Sequence, residues 1–169
     1  MSNWPGSYDS HMKFEQIYEL YYQKVFRLCM GYFNDHESAK DITQETFIIV
    51  WQKLSDFRNQ SALSTWVFRI ATNNCLRQIE KKKRLPVGAM PPDVAEQPHL
   101  EIEQQVALLY TCIAELPEID RIIISLELEN LKQADIALIT GLSETNIRVR
   151  LHRIKEKLSF KFRQYERAN

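Results

Sequence analysis

The residues that could do chemistry in this chain lie near its C-terminus, along a helix predicted to begin just after Ser143. Apolar residues recur there at steps of four, three and four, which indicates a single buried stripe: Ile147, Leu151, Ile154 and Leu158. The remaining positions carry hydroxyl, amide, imidazole and cationic groups. The predicted DNA-contacting set is Ser143, Thr145, Asn146, Arg148, Val149, Arg150, His152, Arg153 and Lys155. A helix with an apolar back and a basic, hydrogen-bonding front suits the DNA major groove.

The segment before that helix predicts the other half of a helix-turn-helix. A short helix is expected over about Lys132 to Ile139, and Gly141 stands where the chain must reverse with a positive φ. Ser143 then occupies the N-cap position of the longer helix. Asn and Arg side chains on its first turns would read adenine and guanine, and Val149 would touch a thymine methyl. The alternative is a solvated helix of an ordinary bundle, but the register of the turn glycine and the cap favours DNA binding.

A second polar helical face is predicted over the segment that ends near Arg84. Ser64 or Thr65 is expected to cap this helix, and Val67, Phe68, Ala71, Cys75 and Ile79 are expected to form its core side. The other side combines an aromatic ring with amides and guanidinium groups: Trp66, Arg69, Asn73, Asn74 and Arg77. Single-stranded DNA is held by such groups, because bases stack on rings and cations hold phosphates. Taken alone, the pattern favours the alternative in which Trp66 belongs to the core and the terminal lysines complement the helix dipole.

A helix predicted over about Glu37 to Leu54 has two unlike faces. One face is suited to a core, with Ala39, Ile42, Thr46, Ile49 and Val50. The other mixes large apolar groups with an acid and an amide: Asp41, Gln44, Phe47, Ile48 and Trp51. An exposed patch of this kind usually contacts a partner protein. Burial of the helix on both sides explains the same periodicity equally well.

Helical periodicity and the placement of the prolines favour an all-α protein of two small helical domains joined by a proline-rich linker. The chain has 169 residues, of which 44% are hydrophobic, so a packed core is feasible. Only helical periodicity is evident. Four of the six prolines fall in 86–98, which predicts a linker between a domain over 12–85 and a helix-turn-helix domain over 99–169. Residues 1–11 resemble a leader or cloning segment.

Charge is strongly segregated although the net charge is zero, with 22 basic and 22 acidic residues. Residues 69–84 hold six basic residues and one acidic, and residues 143–169 hold eight and three. The span between them, 85–142, holds ten acidic residues and two basic. Two basic segments suit a protein that meets a polyanion in two places. The acidic span is a candidate to fold against these basic faces in the free protein.

Other function classes lack support in the sequence. Cys29, Cys75 and Cys112 are far apart in helical patterns and are expected to be buried free thiols without metal spacing. No catalytic constellation or phosphate-binding glycine loop is present, so no enzyme activity, metal, cofactor or small-molecule substrate is expected. No apolar run approaches the roughly 20 residues of a membrane span, and a cytoplasmic protein without membrane insertion is expected.

Three segments, in this order, resemble the sigma-70 family of bacterial transcription initiation factors, in its small extracytoplasmic-function (ECF) group. They read AKDITQETFIIVW, STWVFRIATNN, and the long stretch from LPEIDR to RIKEKL. The first resembles the helix that grips the polymerase clamp, and its Asp-x-x-Gln-Glu-x-Phe pattern falls on Asp41, Gln44, Glu45 and Phe47. The second resembles the segment that opens and reads the minus-ten element, and the third the module that reads the minus-thirty-five element.

The resemblance implies core RNA polymerase and double- and single-stranded promoter DNA as partners, with an anti-sigma factor as a further family partner. It implies that the Gln44 and Trp51 side meets polymerase and that the Trp66 and Asn73 side meets melted DNA. Family members commonly carry Asp where Arg77 stands and often a small polar residue where Val149 stands. Promoter sequence therefore does not transfer from relatives.

Two other classes remain open from the residues alone. A DNA-binding regulator would use only the C-terminal helix-turn-helix, with a sensing or dimerising bundle before it, and would not need Asp41, Gln44, Phe47 and Trp51. A protein–protein adaptor without DNA contact is disfavoured by the two basic faces, and its binding would be indifferent to salt.

Overall fold

The computed structural model of this chain describes residues 7–84 and 101–168, and these ranges fold entirely into helices and short connections. The elements are α1 (Ser7–Phe33), α2 (His36–Lys53), a 3-10 turn (Leu54–Asp56), α3 (Leu63–Arg84), α4 (Glu101–Ala114), α5 (Glu118–Leu128), α6 (Gln133–Thr140) and α7 (Glu144–Ala168). No strand occurs in the two described ranges, which confirms the predicted all-α class. The proline-rich segment 86–98 lies outside the described residues.

The N-terminal half is a three-helix unit in which α1, α2 and α3 each bury one apolar side. Fully buried residues from all three helices meet in its core: Val25, Leu28, Val50, Val67, Phe68 and Ala71. The turn between α1 and α2 is closed by Asp35, whose Oδ2 accepts the Ser38 N–H at 2.8 Å. Asn34 takes a φ of 49°, which asparagine tolerates better than most residues. These local signals fix where α2 begins.

The C-terminal half packs α4, α5 and α6 against α7. Its core is aliphatic and includes Ile113, Ile122, Ile123, Leu126, Ile136, Ile147 and Ile154, each exposed by 1% or less. The helix-turn-helix prediction is confirmed in its local detail. Gly141 has a φ of 75° at the end of α6, and the Ser143 Oγ accepts the Asn146 N–H at 3.2 Å at the start of α7.

The two halves pack against each other, with α1 in contact with α4 and α5 and with α3 in contact with α6. Gly31 allows a close approach of α1 to α5, because an added Cβ would overlap the Ser125 Oγ. Nearby, the Arg27 guanidinium forms a two-bonded pair with Glu129, at 2.7 Å and 2.8 Å. Arg121 Nη1 also donates to the Tyr32 carbonyl oxygen at 3.2 Å. The interface is therefore specified by particular residues of both halves.

Two sequence expectations about helix starts are corrected. The first helix begins at Ser7, before the apolar pattern that was expected to define it, while the assignment of residues 1–11 to a leader stays a prediction. The third helix begins at Leu63, so Ser64 and Thr65 lie inside its first turn and do not cap it. Thr65 is only 1% exposed, and its Oγ1 donates to Asp135 Oδ1 of α6 at 3.3 Å. A long-range partner therefore uses the hydroxyl that the pattern had assigned to a cap.

The cysteine prediction is confirmed, since all three are buried free thiols. Cys29 Sγ of α1 and Cys75 Sγ of α3 lie 3.8 Å apart in the core. Contact with Cys29 and burial together raise the pKa of Cys75. Burial likewise raises the pKa of Cys112. The raised pKa values keep Cys75 and Cys112 protonated at neutral pH, and all three cysteines serve as small core residues.

The close approach at Gly31 makes a testable prediction. Gly31→Val should lower the free energy of unfolding by about 1–3 kcal/mol, because a branched side chain cannot fit where even a Cβ overlaps Ser125. Urea denaturation followed by circular dichroism measures this change. Gln23→Val places the same side chain on the exposed side of α1 and is the matched control. Equal stability of the two variants would contradict the described packing of α1 on α5.

Candidate functional site

The outer side of α7 presents a continuous polar surface to solvent. Its apolar stripe is confirmed: Ile147, Leu151, Ile154 and Leu158 are all buried. Their burial turns the other side outward, and the exposed members of the predicted DNA-contacting set are Ser143, Thr145, Asn146, Arg148, Val149, His152, Arg153 and Lys155. Val149 retains 45% exposure, which leaves an apolar contact point among polar groups. The described surface has the composition that a major-groove helix requires.

Two cations of this set are tied to α5. Arg150 is half-buried, and its Nη1 lies 2.7 Å from Asp120 Oδ1. Lys155 Nζ lies 2.6 Å from Glu127 Oε1, although Lys155 stays largely exposed. Because α5 supplies both carboxylates, these pairs hold the orientation of α7 against the rest of the half. Arg148 and Arg153 are exposed on the same helix and carry the cationic character of its outer surface.

The polar side of α3 is only partly as predicted. Asn73 and Arg77 are exposed, while Trp66 and Arg69 are half-buried. Asn74 does not belong to this surface: it is 5% exposed, and its Nδ2 donates to Thr46 Oγ1 of α2 at 3.2 Å. The expectation that Asn74 lies on the exposed side of α3 is therefore wrong. A buried amide that bridges two helices is satisfied inside the protein.

A concave pocket lies beside Trp66 and was missed by the sequence reasoning. The Trp66 ring packs on the Phe57 ring, with centroids 4.9 Å apart. The pocket is lined by Asp56, Phe57, Arg58, Gln60, Ser61, Trp66, Arg69 and Leu138. Most of these residues belong to the segment between α2 and α3, which the sequence identified only as a polar loop. Aromatic, amide and cationic groups at one depression can hold an unstacked base.

The α6 helix covers one edge of the α3 surface. Arg69 Nη2 donates to the Leu138 carbonyl oxygen at 3.5 Å. The Arg69 Nε is buried without a hydrogen-bond partner among the described residues. Leu138 itself is 60% exposed at the rim of the pocket. The first helix of the helix-turn-helix, α6, therefore abuts the α3 surface that is predicted to meet melted DNA. We call this packing of the two halves the closed arrangement.

The outward side of α2 is smaller than predicted. Asp41, Gln44, Glu45, Ile48 and Trp51 are exposed, with Ile48 at 57% and Trp51 at 42%. Phe47 is only 2% exposed, which corrects its assignment to the contact surface.

Aromatic rings from α1 account for the burial of Phe47. The ring of Tyr18 lies 4.9 Å, that of Tyr22 5.8 Å and that of Phe14 6.4 Å from the Phe47 ring, measured between centroids. Burial is also the main cause of the raised pKa of Tyr18. Phe47 therefore anchors α2 on α1, and its exposed neighbours form the available surface.

Other kinds of site find no support in the described ranges. No group of three or more His, Cys, Asp or Glu side chains that could hold a metal ion occurs there. None of the helices in these ranges combines the length and apolar character needed to cross a bilayer.

Two family models match the two halves of the chain separately. The Sigma-70 region 2 model matches residues 17–85, and the Sigma-70 region 4 model matches residues 107–158. The first range spans the outward side of α2 and the α3 surface, and the second contains the helix-turn-helix. A regulator built on a helix-turn-helix alone does not account for the match to region 2.

Individual relatives cover nearly the whole chain. The RNA polymerase sigma-H factor of Pseudomonas aeruginosa is 29% identical, over 86% of this chain and 83% of its own. The ECF RNA polymerase sigma factor SigW of Bacillus subtilis is 28% identical, over 86% of each chain. Among solved structures, the sigma factor RpoE in complex with the anti-sigma factor NepR from Bartonella quintana has a TM-score of 0.74. It is 21% identical and covers 89% of this chain and 97% of its own, which is a likeness of fold.

A second solved structure, CnrH in complex with the cytosolic domain of CnrY, has a TM-score of 0.71 at 20% identity and covers 91% of this chain and 90% of its own.

The two helical units and their separate matches define a bacterial-type transcription initiation factor, and the chain belongs to the sigma-70 family. Within that family it is an ECF RNA polymerase sigma factor, which binds core RNA polymerase and directs it to promoter DNA.

The different roles of neighbouring α2 residues can be separated by stability. Phe47→Ala should lower the free energy of unfolding by about 3–5 kcal/mol, because it removes a buried ring from the α1–α2 contact. Ile48→Ser, at an exposed position, should change it by less than about 0.5 kcal/mol. Thermal unfolding of the two variants measures both values. If the Phe47→Ala variant is as stable to thermal unfolding as the wild-type protein, the described burial of Phe47 is contradicted.

Proposed function

We propose that the exposed side of α2 binds core polymerase, that the α3 surface with its pocket captures the melted minus-ten element, and that the outer side of α7 reads the minus-thirty-five element. The observation that carries the proposal is a cationic helix surface in each half of the molecule. The α7 surface is exposed along its length, whereas the α3 surface is exposed at Asn73 and Arg77 and covered by α6 at one edge. Each surface falls in the range that its own family model matches. Holding both on one polymerase makes two weak DNA contacts act at high effective concentration.

The polymerase contact is assigned to Asp41, Gln44, Glu45, Ile48 and Trp51. These residues are exposed on one helix and mix apolar with acidic and amide groups. Trp51 is steadied by Phe14, whose ring centroid lies 5.1 Å away. A rigid aromatic beside an exposed aliphatic side chain is typical of the residues that dominate binding energy at protein interfaces.

Strand opening is assigned to the α3 surface. Trp66 and Phe57 offer stacking area, Asn73 offers an amide, and Arg58, Arg69 and Arg77 offer charge for the backbone. Capturing an unstacked base in the pocket would offset the few kcal/mol that unstacking costs. These side chains would bind DNA without forming or breaking covalent bonds. We therefore infer that the protein is not an enzyme and that polymerase alone forms RNA.

Upstream recognition is assigned to the outer side of α7. Asn146 and Arg148 lie in its first turns, where a recognition helix contacts base edges. Val149 is placed for a thymine methyl, and Arg153 and Lys155 are placed for phosphates. We further infer that the protein works in the cytoplasm beside polymerase. An anti-sigma factor is a proposed partner by family and by the named complexes of its structural neighbours.

Two variants should separate the proposed contacts in assays with core polymerase and promoters selected from random DNA. Ile48→Ser should weaken polymerase binding about tenfold, since it removes an exposed apolar contact without unfolding α2. Arg148→Ala should bind polymerase normally but lose most run-off transcription that depends on the upstream element. Fluorescence titration and run-off assays measure the two effects. The proposal fails if Ile48→Ser binds polymerase as wild type does, or if Arg148→Ala transcribes normally.

We also propose that the halves separate when polymerase binds. In the closed arrangement α6 abuts the α3 surface through the Arg69–Leu138 and Thr65–Asp135 contacts. The Arg27–Glu129 pair bridges the halves, and the hydrogen bond to Glu129 raises the pKa of Arg27. The Arg27 side chain is 48% exposed and that of Glu129 only 6%, so solvent screens the pair from the Arg27 side and a polymerase can reach it there.

Charge reversal at the bridge tests this separation. Glu129→Arg faces Arg27 with a like charge and should increase the affinity of the free protein for single-stranded minus-ten DNA several-fold. Glu115→Arg is the matched control, because it makes the same change of charge and breaks a pair with Lys161 inside the C-terminal half. Fluorescence anisotropy measures both affinities. An equal gain in the two variants would show that added charge alone is responsible and that the closed packing hides nothing.

A further inference from the structure

Three side chains form a hydrogen-bonded chain from α5 to the outer surface of α7. Asp120, in the first turn of α5, is 8% exposed. Arg150 Nη1 donates to Asp120 Oδ1 at 2.7 Å, and Arg150 Nε donates to Asn146 Oδ1 at 2.9 Å. Asn146 is exposed on the first turn of α7. A nearly buried carboxylate on one helix is thereby connected to an exposed amide on the proposed reading surface of another.

The chemistry of the guanidinium fixes which way the Asn146 amide faces. Arginine has only donors, so the atom that it touches must be the carbonyl oxygen. The guanidinium is planar, and Asp120 holds its Nη1, so the direction of its Nε–H is fixed as well. The Ser143 Oγ accepts the Asn146 backbone N–H at 3.2 Å and steadies the same turn. The Asn146 oxygen is thus directed to Arg150, and its two N–H groups are free for another partner.

This orientation matters for base reading. A free asparagine reads adenine by donating to N7 and accepting from the N6 amino group at once. Arg150 occupies one of the two lone pairs of the Asn146 oxygen and fixes the plane of the amide, which favours contact with a base through the N–H groups. Guanine presents the acceptors N7 and O6 in the major groove, and thymine presents O4. The adenine contact expected of this asparagine from sequence alone is therefore disfavoured.

We propose that Asp120 is a positioning residue that acts through Arg150 and orients Asn146 to donate hydrogen bonds. At one position of the upstream element, the protein would therefore prefer guanine or thymine to adenine. The inference rests on the proposed function of α7. Asp120 contacts no base itself and acts only through the two side chains that it orders. The same three residues line one concavity with Thr145, Val149 and Arg153, which places the chain at the edge of the reading surface.

The test is selection and sequencing of promoters bound by the reconstituted holoenzyme from a library randomised in the upstream element. Asn146→Ala identifies the position that Asn146 reads, because preference there should fall to within about twofold for all bases. At that position Asp120→Asn should shift the preference toward adenine by about tenfold, with the other positions unchanged. Arg150→Lys keeps the charge but cannot span both partners, so it should shift the same position in the same direction.

A matched control distinguishes the proposed effect of Asp120 on base preference from a purely structural role in holding α7 against α5. Glu127→Gln neutralises the other α5 carboxylate that pairs with α7, through Lys155, without touching Asn146. It should leave the base preference at the Asn146 position as in wild type. If Asp120→Asn and Glu127→Gln both weaken binding uniformly and leave every preference intact, the proposal is overturned and Asp120 merely secures α7. It is also overturned if Asn146→Ala changes no position.

Failure of the underlying function has a different signature. If wild-type holoenzyme enriches no upstream element at all, the proposed function of α7 is wrong and this inference falls with it. If the holoenzyme enriches an element whose recognition depends on Arg148 but not on Asn146, the proposed function of α7 stands. In that case only the role of Asp120 in positioning Asn146 is rejected. Circular dichroism of each variant confirms that α7 is intact before selection.

Discussion

Burial of one apolar stripe on each helix is the constraint on which the functional surfaces depend. In α7, Ile147, Leu151 and Ile154 are exposed by no more than 3%, so Arg148 on the same helix must face outward. In α3, burial of Val67, Phe68, Ala71 and Cys75 similarly turns Asn73 and Arg77 to solvent. Hydrophobic burial therefore decides where the polar groups point, and no separate force is needed to display them.

The same constraint explains how much could be predicted from the sequence. The α7 stripe has a clean helical period, and Gly141 and Ser143 mark its turn, so this module was predictable in register. Phe47 was not, because its burial depends on Phe14, Tyr18 and Tyr22 of another helix. Periodicity within one segment reports the helix but not how many neighbours surround it.

Polar groups with distant partners were the other source of error. Asn74 fits an exposed amide by spacing, but Thr46 lies within hydrogen-bonding distance across the α2–α3 contact. Arg150 fits a phosphate ligand, but Asp120 accepts from it across 30 positions of sequence. The pocket beside Trp66 depends on a loop whose side chains carry no periodic signal. In each instance the missing information is a tertiary contact, which no local pattern encodes.

The interface between the halves suits a protein that must change its arrangement. Gly31 gives a close fit, and the bridging Arg27–Glu129 pair is open to solvent on the Arg27 side while the Glu129 side chain is 6% exposed. Interfaces between domains of one chain generally resemble transient protein contacts. We propose that binding to polymerase supplies the free energy that separates the halves, which would expose the α3 surface where promoter DNA is present.

The most direct test of two separate reading surfaces is to map transcription start sites on fragmented genomic DNA with core polymerase and the purified full chain. If each half of the molecule reads one element, sequences upstream of these starts will share two short elements at one fixed spacing. Inserting half a helical turn between the elements should abolish initiation, since it rotates one of them away from its surface. Starts that share a single element, or that tolerate the insertion, would contradict two separate reading surfaces.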